Sequence, residues 1–174
     1  IRAVPKYRSD AQLWAVPLPT IDPEIVVRSA EFLPEYGPDF RYGHYIGLKH
    51  GYQVAGIVAG AGALFTLAQL PPARALLRMI KDPGEGPDEA TRAKSYFRVL
   101  FLGRAGEHEV RCEVKGGDPG YGETAKMLAE SALCLAFDRD KLPPHTGVVT
   151  SAAAMGNPLI ERLQRAGISF REVS

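Results

Sequence analysis

Cysteine is nearly absent from this sequence. Its 174 residues hold two, Cys112 and Cys134, too few for the disulfide framework of a small secreted domain. Neither has the paired spacing of a zinc site, and both are expected as buried thiols in a reducing compartment. The four histidines, His44, His50, His108 and His145, form no H-x-x-x-H, so zinc has no support. There is no G-x-S-x-G, the turn that presents a nucleophilic serine. There is no G-x-x-x-x-G-K-[ST] either, which removes the phosphate loop of nucleotide hydrolases. Net charge is scarce: 21 basic residues against 20 acidic ones leave +1. A nucleic-acid partner normally shows as a basic face or stripe, and none is expected here. The chain opens on "IRAVPKYRSD", with neither an initiator Met nor an apolar leader. It reads as chain cut from something longer.

What is present suits one folded domain with a sizeable core: 45% hydrophobic and 24% charged residues. The first twenty residues carry Pro5, Pro17 and Pro19 around Trp14 and predict extended, irregular chain. Asp22-Pro23 predicts an N-cap with Pro at the first helical position, opening about three turns that end near Pro34. "FRYGHYIGLK", from Phe40, alternates as a strand. From Gly51 to Ala73 there is no charged residue over 23 positions. Gly56 and Gly60 make a G-x-x-x-G within it, suited to close helix packing. Two readings stand: a helix fully buried in the core or at a subunit interface, or a segment that contacts or spans a membrane. "GAGALF", from Gly60, mimics a dinucleotide fingerprint, and Asp82 lies at the spacing of a ribose-binding acid. Phe65 stands where the third glycine belongs, and the preceding residues continue the helix. No nucleotide site is expected there.

Pro71-Pro72 ends that element, and "ARALLRMI" predicts a further short one before the loop "KDPGEGPDEA". Asp88 predicts a cap for a short helix through Ala93. "YFRVLFLG" and "HEVRCEVKG" read as antiparallel strands joined across "RAGE". "GGDPGYGETAKMLAESALCLAFD", from Gly116, then sets glycines and Asp118-Pro119 before one long helical pattern. The pattern is apolar nearly all round after Ser131, so the helix is expected to be buried. Its start is either a structural cap or a ligand-facing turn over Asp118–Thr124. "VVT" predicts a small strand, Asn157-Pro158 a further helix start, Gly167 its C′ glycine and "ISFREV" a last strand. Tyr42, Tyr45, Tyr52 and Tyr121 are hydrogen-bond donors available to a substrate, or packed residues with hydroxyls at the rim. Arg28 and Arg41 are candidates to hold a carboxylate, or partners in exposed ion pairs.

Four stretches in one order, "RSAEFLPEYGPDFRY", "KDPGEGPDEATR", "GGDPGYGETAKMLAESALCLA" and "GVVTSAAAMGNPLIERLQRAGISF", resemble the C-terminal half of saccharopine dehydrogenase-like oxidoreductases. The subgroup resembled is the bacterial trans-acting enoyl reductase type, associated with complex lipid biosynthesis. The resemblance runs from about Trp14 to Val173. It implies an α+β fold, a mixed and largely antiparallel sheet with helices packed on it. It implies that residues 1–174 form a single substrate-binding and dimerisation domain whose N-terminal Rossmann domain is absent from this chain. No cofactor is then expected here, with NADP or NAD expected in the full-length protein. The implied partners are that Rossmann domain, a second copy in a homodimer and a lipid-like substrate, with a cytoplasmic, membrane-associated location. The candidates for a proton donor are Tyr42 and Tyr121; those for substrate contact are Arg41, Asp118 and Thr124. The alternative is a non-catalytic module that binds lipid or a membrane surface.

Overall fold

The computed structural model describes residues 4–9, 12–73 and 86–173. "ARALLRMI" beyond its first residue, and the first half of "KDPGEGPDEA", lie outside the described residues. The fold is α+β, and every strand pairing in it is antiparallel. The chain divides into two compact units, Ile1–Glu85 and Gly86–Ser174, each taken here by itself.

The first unit holds a three-stranded sheet in the order β1 (Lys6–Arg8), β2 (Leu13–Pro17), β3 (Tyr45–Leu48). The opening residues are therefore not irregular. Their prolines mark strand ends: Pro5 precedes β1 and Pro17 closes β2, where a missing N–H does least harm to the ladder. Trp14 anchors the sheet. It stands opposite Tyr7 on one side and Leu48 on the other, and the Tyr7 ring meets it edge-on at 5.7 Å. The strand expected from Phe40 begins only at Tyr45; residues 40–44 approach it as extended chain, with Leu18 N–H donating to the His44 carbonyl at 3.1 Å.

Helix α1 spans Asp22–Ala30, with Pro23 in its first turn. It stops before the predicted end because Pro34–Tyr36 form a separate 3-10 turn. Ser29 is the one buried residue among those described in this unit, and its hydroxyl donates to the Ile25 carbonyl at 2.8 Å. Helix α2 spans Gly51–Gln69. The expectation of a buried helix is corrected here: no residue of α2 is buried. Its first turn alone meets the sheet, where Gly51 lies against the Trp14 indole. Apolar composition calls for something to cover this helix, and the described residues of this unit do not bury it.

The second unit begins with α3 (Glu89–Lys94), capped by Asp88, whose Oδ1 accepts from Thr91 N–H at 2.8 Å. Strands β4 (Phe97–Ala105) and β5 (His108–Gly116) form the expected hairpin. The loop is only Gly106-Glu107, shorter than "RAGE", with Gly106 at φ 60 as the first position of a two-residue hairpin turn demands. Strand β6 (Ser169–Glu172) pairs with β5, giving the order β4-β5-β6. Helix α4 (Gly122–Phe137) packs on α5 (Ser151–Arg165). Between them Arg162 Nη1 donates to Glu130 Oε2 at 3.3 Å, and Arg162 Nε donates to Asp138. The core is small: Cys134 from α4, Ala153, Met155 and Leu163 from α5, and Ile168 just beyond it.

Three expectations for this unit need correction. Helix α4 is not buried all round: one face meets α5, while Leu128 is 73% and Phe137 74% exposed. "VVT" is not a strand; Val148 is fully open to solvent and Thr150 instead caps α5, accepting from Ala153 N–H at 3.4 Å. Helix α5 begins at Ser151, before Asn157-Pro158. Those two residues restart it after a kink at Gly156, whose φ of 51 and ψ of −137 break the helix. Gly167, at φ 98, ends it as predicted: Ile168 N–H returns to the Leu163 carbonyl at 2.9 Å. Both cysteines are free; Cys134 is buried, but Cys112 is only half-buried.

Candidate functional site

The sequence candidates fall into two groups, one in each unit. Arg41 and Tyr42 belong to the first unit, in the extended chain that leads into β3. Tyr42 borders an open groove of about 600 Å³ along α1, whose walls include Ile21, Ile25, Val27, Arg28 and Glu31. The walls are mainly apolar because Ile21, Ile25 and Val27 project from α1 and stay partly exposed. The Tyr42 hydroxyl and His44 Nδ1 share a hydrogen bond of 3.0 Å.

Desolvation by burial pushes the Tyr42 phenol above its ordinary value of 10.0, and the Asp22 charge adds to the effect. Asp22 itself lies below its ordinary value of 3.8, through a hydrogen bond from Thr20, with the charge of His44 adding to it. Of these three Tyr42 lines the groove, with His44 as its hydrogen-bond partner and Asp22 as the charge acting on it. Arg28, the other arginine weighed for anion binding, pairs with Glu31 at 2.6 Å in an exposed i,i+3 bridge and lies over the Phe32 ring. Arg41 is exposed and has no ion pair among the described residues.

Asp118, Tyr121 and Thr124 meet in the second unit at the start of α4. Asp118 accepts from the backbone N–H groups of Gly120 at 3.3 Å, Tyr121 at 2.9 Å and Gly122 at 3.1 Å. Its backbone carbonyl takes the N–H of Glu123 at 2.9 Å. These bonds, Gly122 first, hold its carboxylate below the ordinary 3.8. The Thr124 hydroxyl donates to the Pro119 carbonyl at 2.6 Å. The donors that a phosphate would need at this helix start are already engaged by Asp118. The turn is a cap built from its own side chains. Tyr121 is about half exposed, with the Arg92 guanidinium 5.9 Å from its ring centre and its hydroxyl against Gly86.

Sequence reasoning passed over three groups here. His44 was weighed only as a zinc ligand, though its spacing from Tyr42 carried the signal. Glu123 drew no attention as part of a helix start, yet it is buried. Its Oε1 accepts from Gly117 N–H at 3.2 Å and Lys126 Nζ at 2.8 Å, while Oε2 has no partner. Glu113 is 1% exposed and is clasped by Arg98 and Arg171 from the two flanking strands. The hydrogen bond from Arg98, ahead of those from Arg171, outweighs the cost of burial and holds its carboxyl below the ordinary 4.5. Only strand register could have revealed that clasp.

A dinucleotide does not fit the residues that mimic its fingerprint. Gly60 and Gly62 sit in the middle of the continuous helix α2, with no preceding strand and turn to aim their N–H groups at a pyrophosphate. No group of three or more His, Cys, Asp or Glu suited to a metal occurs among the described residues.

No family model and no solved structure matches this chain. Curated proteins do. A protein of Mycobacterium tuberculosis, provisionally named trans-acting enoyl reductase, is 39% identical over 158 residues, covering 84% of this chain and 38% of that protein. A trans-acting enoyl reductase of Mycobacterium ulcerans is 34% identical, covering 82% of this chain and 37% of its own length. One from Mycobacterium bovis is 32% identical, again covering 82% and 37%. The chain thus spans under two-fifths of the length of these relatives. The chain belongs to the family of these proteins named trans-acting enoyl reductases.

Proposed function

We propose that this chain is the substrate-handling part of a longer NAD(P)-dependent enoyl reductase, of saccharopine dehydrogenase-like organisation, that reduces a lipid-like α,β-unsaturated acyl group. The observation that carries the reading is the Tyr42–His44 pair at an apolar groove, in a chain similar to proteins named enoyl reductases. The small share of those relatives that the chain covers supports the rest of the reading. A Rossmann domain elsewhere in the longer protein holds the dinucleotide, and a second copy completes a homodimer. The residues that mimic a dinucleotide fingerprint lie mid-helix and do not fit that cofactor, so this reading assigns hydride chemistry to the part that binds it.

What this chain's residues do is limited and definite. The groove walls from Ile21 to Val27 take the acyl chain, and exposed Arg41 meets a negative group on its carrier. Reduction of the double bond requires one proton at the carbon next to the carbonyl. Tyr42 supplies it, as the phenol that lines the groove and is hydrogen-bonded to His44. His44 Nδ1–H, donating to the phenol oxygen, stabilises the tyrosinate left behind and returns a proton from solvent. Tyr121 has no comparable neighbour among the described residues and belongs to the α4 framework.

The test is NADPH consumption with a short enoyl thioester, on the longer protein and on this chain alone, with NADPH binding followed by calorimetry. The longer protein is expected to consume NADPH, and this chain alone to bind none. Binding by this chain alone, or no reduction of any enoyl thioester by the longer protein, overturns the reading.

A further inference from the structure

Helix α2 raises a question that the proposed activity leaves unanswered. Bulky Ile57, Val58, Leu64, Phe65 and Leu67 take one half of its circumference, and Ala55, Ala59, Gly62 and Ala63 the other. All are exposed. A helix that is apolar all round is normally enclosed, in a large core or in a membrane. We infer that α2 is embedded in the hydrocarbon of a lipid bilayer and anchors this chain to membranes that carry acidic headgroups.

Four observations on the molecule agree. Its 19 residues rise by about 28 Å at about 1.5 Å each, close to the roughly 30 Å hydrocarbon thickness of a bilayer. Of the four polar side chains in the helix, all but Tyr52 bond to backbone within or next to it. Thr66 Oγ1 donates to the Gly62 carbonyl at 2.8 Å, Gln69 Nε2 reaches the Phe65 carbonyl at 3.5 Å, and Gln53 Oε1 accepts from His50 N–H at 2.9 Å. Lipid leaves such groups no other partner. The helix also lacks the strongly polar face that would lay it flat on a membrane surface. Finally, no Asp or Glu occurs from residue 40 to residue 81, while Arg41 and Lys49 precede the helix and Arg74, Arg78 and Lys81 follow it. An acid-free stretch with basic rims complements anionic headgroups at the ends of an apolar core. A protein groove would cover one side of α2, whereas lipid covers every side.

The experiment places an environment-sensitive nitrobenzoxadiazole label at Leu64→Cys, in a Cys112→Ser background with Cys134 left in the core. Vesicles of phosphatidylcholine and phosphatidylglycerol, brominated midway along the acyl chains, serve as quenchers. The same label at Val148→Cys, on the fully exposed loop of the second unit, is the control. The inference predicts a blue-shifted, quenched label at 64 and no quenching at 148. It also predicts flotation of the unlabelled protein with these vesicles, and a loss of partitioning by roughly 100-fold in Leu64→Lys, from the cost of a central cation. Leu64 is exposed, so both variants keep the contacts of the folded chain, checked by circular dichroism. An unquenched label at 64 in folded protein overturns the inference. So does a protein that stays monodisperse in water with α2 covered by a second copy or by further chain, and does not float.

Discussion

Gly116 closes β5 at a point where the second unit has no room for a side chain. It stands opposite Phe97 in the β4–β5 register. A Cβ at residue 116 would lie 2.5 Å from Phe97 Cε1, 3.0 Å from its Cζ and 3.3 Å from Glu123 Cδ. Contacts that short are not tolerated, and the atom at 2.5 Å belongs to a stiff ring held by strand pairing. Gly116→Ala therefore has to displace Phe97, the carboxyl of Glu123 or both. Overpacking of this kind costs about 1–3 kcal/mol. In a unit of this size each kcal/mol lowers the midpoint by about 4–8 °C. The thermal midpoint of the second unit, followed by circular dichroism, is expected to fall by roughly 4–24 °C. The double variant Gly116→Ala, Phe97→Leu removes the ring and is expected to recover part of the loss relative to Phe97→Leu alone, a coupling that marks direct contact. A Gly116→Ala midpoint within about 1 °C of wild type, or strict additivity in the cycle, refutes the packing argument.

The remaining predictions concern the core, the clasp around Glu113 and the helix cap. Ile168→Ala empties a site that is 1% exposed and is expected to cost about 2–5 kcal/mol in urea unfolding; a loss under about 1 kcal/mol contradicts its place in the core. The Glu113 carboxyl is depressed in the folded state, so its contribution to stability is complete above the ordinary value of 4.5. It is lost as pH falls through the lower folded value. Acid unfolding of wild type is expected to steepen below that point and Glu113→Gln to flatten the curve; identical pH profiles contradict the assignment. Thr150→Ala removes the cap of α5, whose bond is long at 3.4 Å, and is expected to cost about 0.5–1 kcal/mol.

Much of the second unit was legible in the sequence because its signals are local. Alternation on both sides of Gly106, the Asp88 cap, and Gly167 after Leu163 each fix an element without distant partners. The first unit was harder to read. Pro5 and Pro17 were taken as signs of irregular chain, although they only bound two short strands whose pairing with β3 is a long-range fact. Burial was least legible. The composition of α2 and α4 states that apolar surface must be covered, not which molecule covers it. Leu128 and Phe137 lie open, and no residue of α2 is buried. For the candidate site, the value of Tyr42 depended on His44 and Asp22, one neighbour in sequence and one twenty residues away.

The most direct test of the proposed function is the turnover number of Tyr42→Phe in the longer enzyme, at saturating enoyl thioester, with Tyr121→Phe alongside. Loss of a general acid is expected to lower kcat by about 10²–10⁴-fold in Tyr42→Phe, with KM little changed and Tyr121→Phe near wild type. Full turnover by Tyr42→Phe, or a large loss in Tyr121→Phe instead, contradicts the assignment of the proton donor to the groove along α1.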